Sequence, residues 1–184
     1  MIHMKQLFIF GLIIAALASC KQVNVDKELA QIDSLTTVVK NNEIKLDEID
    51  IDKVKTLQEQ MSNQIMLVKS IYGDSIEWEN AKMLTKYYDA SKTFRKYIDK
   101  HSYVKDELTY SYAQLTDLKA VITNNIITTD TFQIYFEKEC KAAQELEDLI
   151  QKEMHKAKSS LETYKEYLPN VEELLTEQNT EDGV

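Results

Sequence analysis

Residues 76–122 read IEWENAKMLTKYYDASKTFRKYIDKHSYVKDELTYSYAQLTDLKAVI, and they decide the fold. Within them Ile76, Asn80, Met83, Tyr87, Ala90, Phe94, Tyr97, His101, Val104, Leu108, Ser111, Leu115, Leu118 and Ile122 follow one another at alternating intervals of four and three. The phase never slips, and neither glycine nor proline interrupts it. A heptad held for nearly seven repeats is the pattern of long helices packed side by side. Ser102 is a candidate cap for a new helix, and Asp99-Lys100-His101 a candidate turn. The unbroken phase argues against a hairpin there, because a loop has no reason to keep register.

Two further apolar stripes flank this one. Leu29, Ile32, Leu35, Val39, Leu46 and Ile49 share a helical face from Asp26 onward. Asp50 is placed to cap a restart, after which Val54, Leu57, Met61, Ile65, Val68 and Tyr72 continue to Gly73. Asp74 to Glu77 reads as a capping box opening the middle helix. Asn124-Asn125 ends that helix, and Asp130 or Thr131 caps the next. The third stripe runs Phe132, Phe136, Cys140, Ala143, Leu146, Ile150, Met154, Ala157, Leu161, Tyr164, Leu168. Pro169 is expected to stop or kink it, with Asn170 capping a last piece. Asp26–Tyr72, Ser75–Asn124 and Asp130–Leu168 would each be roughly 60–75 Å long at 1.5 Å per residue, and so match. The expected architecture is all-α: an elongated antiparallel three-helix bundle with coiled-coil-like packing. The alternative is a shorter four- or five-helix bundle broken near Asp50 and Ser102.

At the N-terminus an apolar run, Leu7 to Ala18, follows Lys5 and closes on Leu17-Ala18-Ser19-Cys20. A cationic start, a short apolar core and small residues at a cleavage site make a secretory signal. The run of about a dozen residues is short of the roughly 20 that span a bilayer. The four closing residues resemble the lipobox of bacterial lipoproteins. That resemblance covers residues 1–20 and implies that Cys20 is acylated, palmitate among its chains, and becomes the first mature residue. Lys21 in place of aspartate implies the outer membrane, at its periplasmic face or at the cell surface. The expected organisation is therefore a signal peptide at 1–19, a lipidated cysteine and tether at 20–25, a helical domain at 26–177 and a disordered tail at 178–184.

All 31 acidic residues follow Cys20, against 21 basic ones once Lys5 is removed, which leaves a mature charge of −10. A nucleic-acid binder needs a positive footprint, so that class is excluded as a partner. Besides Cys20 the only cysteine is Cys140, on the third stripe, where burial is the default reading. No HExxH, CxxC or GxSxG pattern occurs, and neither His101 nor His155 follows a glutamate at three residues. The expectation is a non-enzyme with no catalytic residues, no metal and no cofactor. His101 falls on the seam and reads as a core histidine, with a pH-sensing or metal position as the sharper reading. Tyr88, Tyr103, Tyr110 and Tyr112 lie off the stripes and either line a contact surface or fill bundle flanks. Asp33-Ser34-Leu35 and Asp74-Ser75-Ile76 resemble an acceptor pattern for bacterial O-glycosylation.

The charge is uneven. From Lys82 to Lys105 seven basic residues face only Asp89 and Asp99, a local +5. On a helical wheel Lys82, Lys86, Lys92, Lys96 and Lys100 gather opposite the seam, with Trp78 on the same side. This is the candidate partner-binding stripe; a solvated outer face is the plainer reading. The functional expectation is a membrane-anchored, non-catalytic interaction or structural module of the cell envelope, held by lipid on Cys20 and meeting a protein or another anionic envelope partner. The alternative is a bundle that binds a small ligand.

Overall fold

The computed structural model describes residues 24–73 and 75–181. The signal segment, Cys20, Asp74 and the last three residues of the tail lie outside the described residues, and so do the expectations that fall on them. Four helices follow in order: α1 (Val25–Leu46), α2 (Ile51–Tyr72), α3 (Trp78–Thr123) and α4 (Thr129–Glu181). With α1 and α2 forming one bent arm, the protein is a three-helix bundle.

Each boundary has a local cause. Asn24 accepts a hydrogen bond from the Lys27 amide at 3.2 Å and starts α1. At the bend Asp50 caps α2 as its sequence suggests, accepting from the amides of Asp52 and Lys53 at 3.0 Å each. Gly73 ends α2 with φ +53°, a region that glycine enters without the Cβ penalty. Helix α3 begins at Trp78, later than the Ser75 read from the sequence, and Glu77 makes no side-chain cap bond there. Its far end is a Schellman turn. Asn125 takes φ +51°, its amide bonds the Ile122 carbonyl, and the Ile126 amide reaches back to Val121 at 2.9 Å. The Thr128 hydroxyl caps α4 by accepting from the Thr131 amide at 3.3 Å, so the cap precedes the expected Asp130 or Thr131.

The two places where a break was in question resolve oppositely. The first arm is interrupted between Leu46 and Ile51, while α3 runs through Ser102 without a break for 46 residues. That is about 69 Å of helix. Pro169 does not stop the helix and Asn170 caps no new one: α4 continues 53 residues to Glu181. Pro169 and Lys165, whose carbonyl loses its usual donor, both lie on the exposed side. Water can therefore satisfy that carbonyl. Beyond the proline Val171 and Leu174 are buried and hold the helix down.

Cross-links give the register. Lys119 Nζ meets Asp33 Oδ1 at 2.7 Å, and Tyr87 Oη donates to Gln64 Oε1 at 2.7 Å, so α3 runs antiparallel to the arm. Tyr72 Oη donates to the Leu174 carbonyl at 2.8 Å, and Asn42 Nδ2 to the Ala143 carbonyl at 3.1 Å, so α4 runs parallel to the arm. Within α3 the buried side chains from Tyr87 to Ile122 include every stripe position read from the sequence, with Ser91 added. Ile76, Asn80 and Met83, near its start, are only half-buried. Cys140 is half-buried, and burial followed by Glu137 and Glu139 raises its thiol pKa.

Candidate functional site

The lysine stripe lies on the solvent side of the first half of α3, where the bundle faces inward through Tyr87, Ala90, Phe94 and Tyr97. Trp78, Lys82, Lys86, Lys92, Lys96 and Lys100 are all exposed. Trp78 stands 78 % exposed in the first turn of the helix. From Trp78 to Lys100 the stripe spans about 33 Å at 1.5 Å per residue.

None of the five lysines forms an ion pair with a carboxylate among the described residues, although α4 is rich in acid. Tyrosines hold three of them instead. Lys86 leans toward α4, donates to Tyr167 Oη at 3.0 Å and lies 5.5 Å from that ring's centre. The hydrogen bond to Tyr167 is the main reason its pKa is raised. Lys92 leans the other way and sits 4.4 Å over Tyr88, whose ring also receives Lys69 of α2 at 5.3 Å. Lys100 lies 5.4 Å from the Tyr103 ring. Ammonium groups are drawn to the negative faces of aromatic rings in this way without losing their charge. Lys82 and Lys96 have no hydrogen bond, ion pair or ring contact among the described residues. The stripe is thus a central line of Trp78, Lys82, Lys96 and Lys100, with Lys86 and Lys92 splayed onto tyrosines at its sides.

Of the four off-stripe tyrosines, Tyr88, Tyr103 and Tyr110 are exposed. Tyr112 belongs to the bundle: it is half-buried and its hydroxyl reaches Glu43 Oε2 at 3.4 Å. No family model, curated protein or solved structure matches the chain. Lys69 was not legible as a stripe neighbour, because only the register of α2 against α3 brings it to Tyr88. Tyr103 and Tyr110 extend the same face of the wheel, and their signal was present in the sequence.

A second feature sits at the bend. An apolar groove of about 310 Å³ opens between Ile49, Val54, Leu57, Phe94, Ala157 and Leu161, rimmed by Glu48, Asp50, Lys53 and Lys158. Also near the bend, His101 is 7 % exposed, and its Nε2 and the Tyr97 hydroxyl are buried without hydrogen-bond partners among the described residues. The Tyr97 hydroxyl is pushed up to about 12, mainly by burial. His155, by contrast, is exposed on α4. Among the described residues no group of three or more His, Cys, Asp or Glu could hold a metal ion. Nor is any helix there long and apolar enough to cross a membrane.

Proposed function

We propose that this protein is a lipid-anchored, non-catalytic interaction module of the bacterial cell envelope, and that its α3 stripe docks an anionic partner. The observation that carries the reading is the row of exposed lysines without carboxylate partners among the described residues, beside an exposed tryptophan, in a chain of strongly negative net charge. Unpaired cations on a rigid helix keep their charge available, and an exposed indole adds an apolar anchor. The lipobox-like Cys20 supports a tether. The bundle would then act as a rod that holds its docking surface tens of ångströms from the bilayer, at the outer membrane.

The test is recovery of a cross-linked partner from detergent extract, using lipidated protein and a variant with Lys82→Glu, Lys86→Glu and Lys96→Glu. The variant should lose the partner while helicity and melting stay nearly unchanged. Recovery by the parent should weaken steeply with salt, because exposed charges are screened beyond about 8 Å at physiological ionic strength. Undiminished recovery by the variant at low salt would make the stripe merely a wet face. The groove at the bend favours a second reading, a small apolar ligand held between helices. A rise in melting temperature with a ligand library, lost in Phe94→Ala, would favour that reading over the first.

A further inference from the structure

The end of the bundle opposite Trp78 carries apolar side chains that the core does not use. Ile126, at the tip of the α3–α4 turn, is 67 % exposed. Ile134 and Tyr135, on the first turns of α4, are also exposed, and Lys138 lies 5.6 Å from the Tyr135 ring. The register sets what stands beside them. Asp33 pairs with Lys119, and Asn42 bonds Ala143. Continued toward the N-terminus, both pairings bring Val25 level with residues 126–128. The turn and the start of α1 therefore share one end of the rod.

We infer that this end rests on the bilayer and that Ile126 inserts at the interface, with Tyr135 and Lys138 at the headgroup margin. The inference builds on the proposed anchor at Cys20. Only three residues lie between Cys20 and Asn24, and the four steps of chain reach at most about 14 Å when fully extended. A cysteine held by acyl chains therefore brings the Ile126 turn to the membrane surface. An isoleucine this exposed on a tight turn gains from burial once the turn is held at a membrane interface. Tyrosine and lysine next to it suit the headgroup layer, where an amphipathic ring and a snorkelling cation are both favoured. The rod then stands with Trp78 at its far end, about 70 Å away along α3, and the lysine stripe runs from there back to Lys100, about 40 Å from Ile126.

Tryptophan fluorescence in vesicles tests this. The protein has one tryptophan, Trp78, at the distal end. Mature lipidated parent and a Trp78→Phe, Ile126→Trp variant are each reconstituted into phosphatidylcholine vesicles whose acyl chains are brominated, and acylation is verified by mass. The indole at 126 should shift to the blue and lose about half its emission or more, since an interfacial side chain lies 5–10 Å into the headgroup boundary. Trp78 in the parent should be unaffected. An unquenched indole at 126 in acylated, vesicle-bound protein overturns the inference and leaves the anchor intact. Quenching of Trp78 instead overturns the orientation. A protein that carries no acyl chain overturns the anchor, and the inference with it.

Discussion

Replacing His101 with leucine should stabilise the bundle, and increasingly so as the pH falls. The imidazole is 7 % exposed on the α3 seam, with Nε2 buried and unpartnered. Asp47 Oδ1, at 3.9 Å, would favour a proton on it. Burial opposes this and is the largest effect, with Lys105 and Lys55 adding to it against Asp47 and Asp52; the pKa is lowered from the ordinary histidine value. Asp47 is more than half exposed, so water screens its pull. His101 is therefore neutral in the folded protein at neutral pH. The sign follows from linkage. The unfolded chain takes up a proton near pH 6.5 and the folded one at lower pH, so folding loses stability as pH falls below about 6.5. Between the two values the loss is at most about 1.4 kcal/mol per pH unit. At pH 7.5 the leucine variant gains from removing an unpaired buried nitrogen, a change worth about 1 kcal/mol. Urea melts of parent and variant at pH 7.5, 6.0 and 5.0 measure both effects, because the difference between them cancels the carboxylates common to the two. The variant should be ahead at pH 7.5, and its lead should widen at pH 5.0. A constant difference across that range would mean that the His101 pKa is the same folded and unfolded, and a lead that narrows as the pH falls would mean that it is raised in the fold; either would refute the reasoning.

Two further outcomes are expected. Cys20→Ser should leave the protein unprocessed or released from the membrane fraction; mature-size protein still fractionating with membranes would rule out the anchor. Phe94→Ala removes a fully buried ring that borders the groove at the bend, and should cost about 3–5 kcal/mol in urea melts with little change in helicity. A loss below about 1 kcal/mol would mean that the groove collapses around the deletion.

The long helices were legible because heptad phase is a global signal: a stripe from Tyr87 to Ile122 cannot arise from short pieces. The stop expected at Pro169 did not occur because the rule that proline breaks helices is local. It assumes that the freed carbonyl is buried and that nothing downstream is anchored, and here Val171 and Leu174 are packed while the proline faces water. By residue type Asn42 is a weak helix former that gives no sign of a core position. It is 1 % exposed and tied to the Ala143 backbone, yet its place between Val39 and Leu46 on the stripe was the available sign. Glu28, buried with Oε2 unpartnered, stands one turn before Ile32 on that face, and its charge hid its position. The stripe's residues could be named from a wheel. What holds Lys86 and Lys92 could not, since Tyr167 is remote in sequence and Tyr88 acts together with Lys69 of another helix.

The proposed separation of anchor and docking surface depends on α3 being one continuous helix. Spin labels at Lys82 and Lys119, both on exposed positions of α3, measure this directly by dipolar spectroscopy in solution. Thirty-seven residues of straight helix place them about 55 Å apart. A narrow distribution near that distance is expected. A distance within about 20 Å, as a hairpin at Ser102 would give, would contradict the rod and every function built on its two ends.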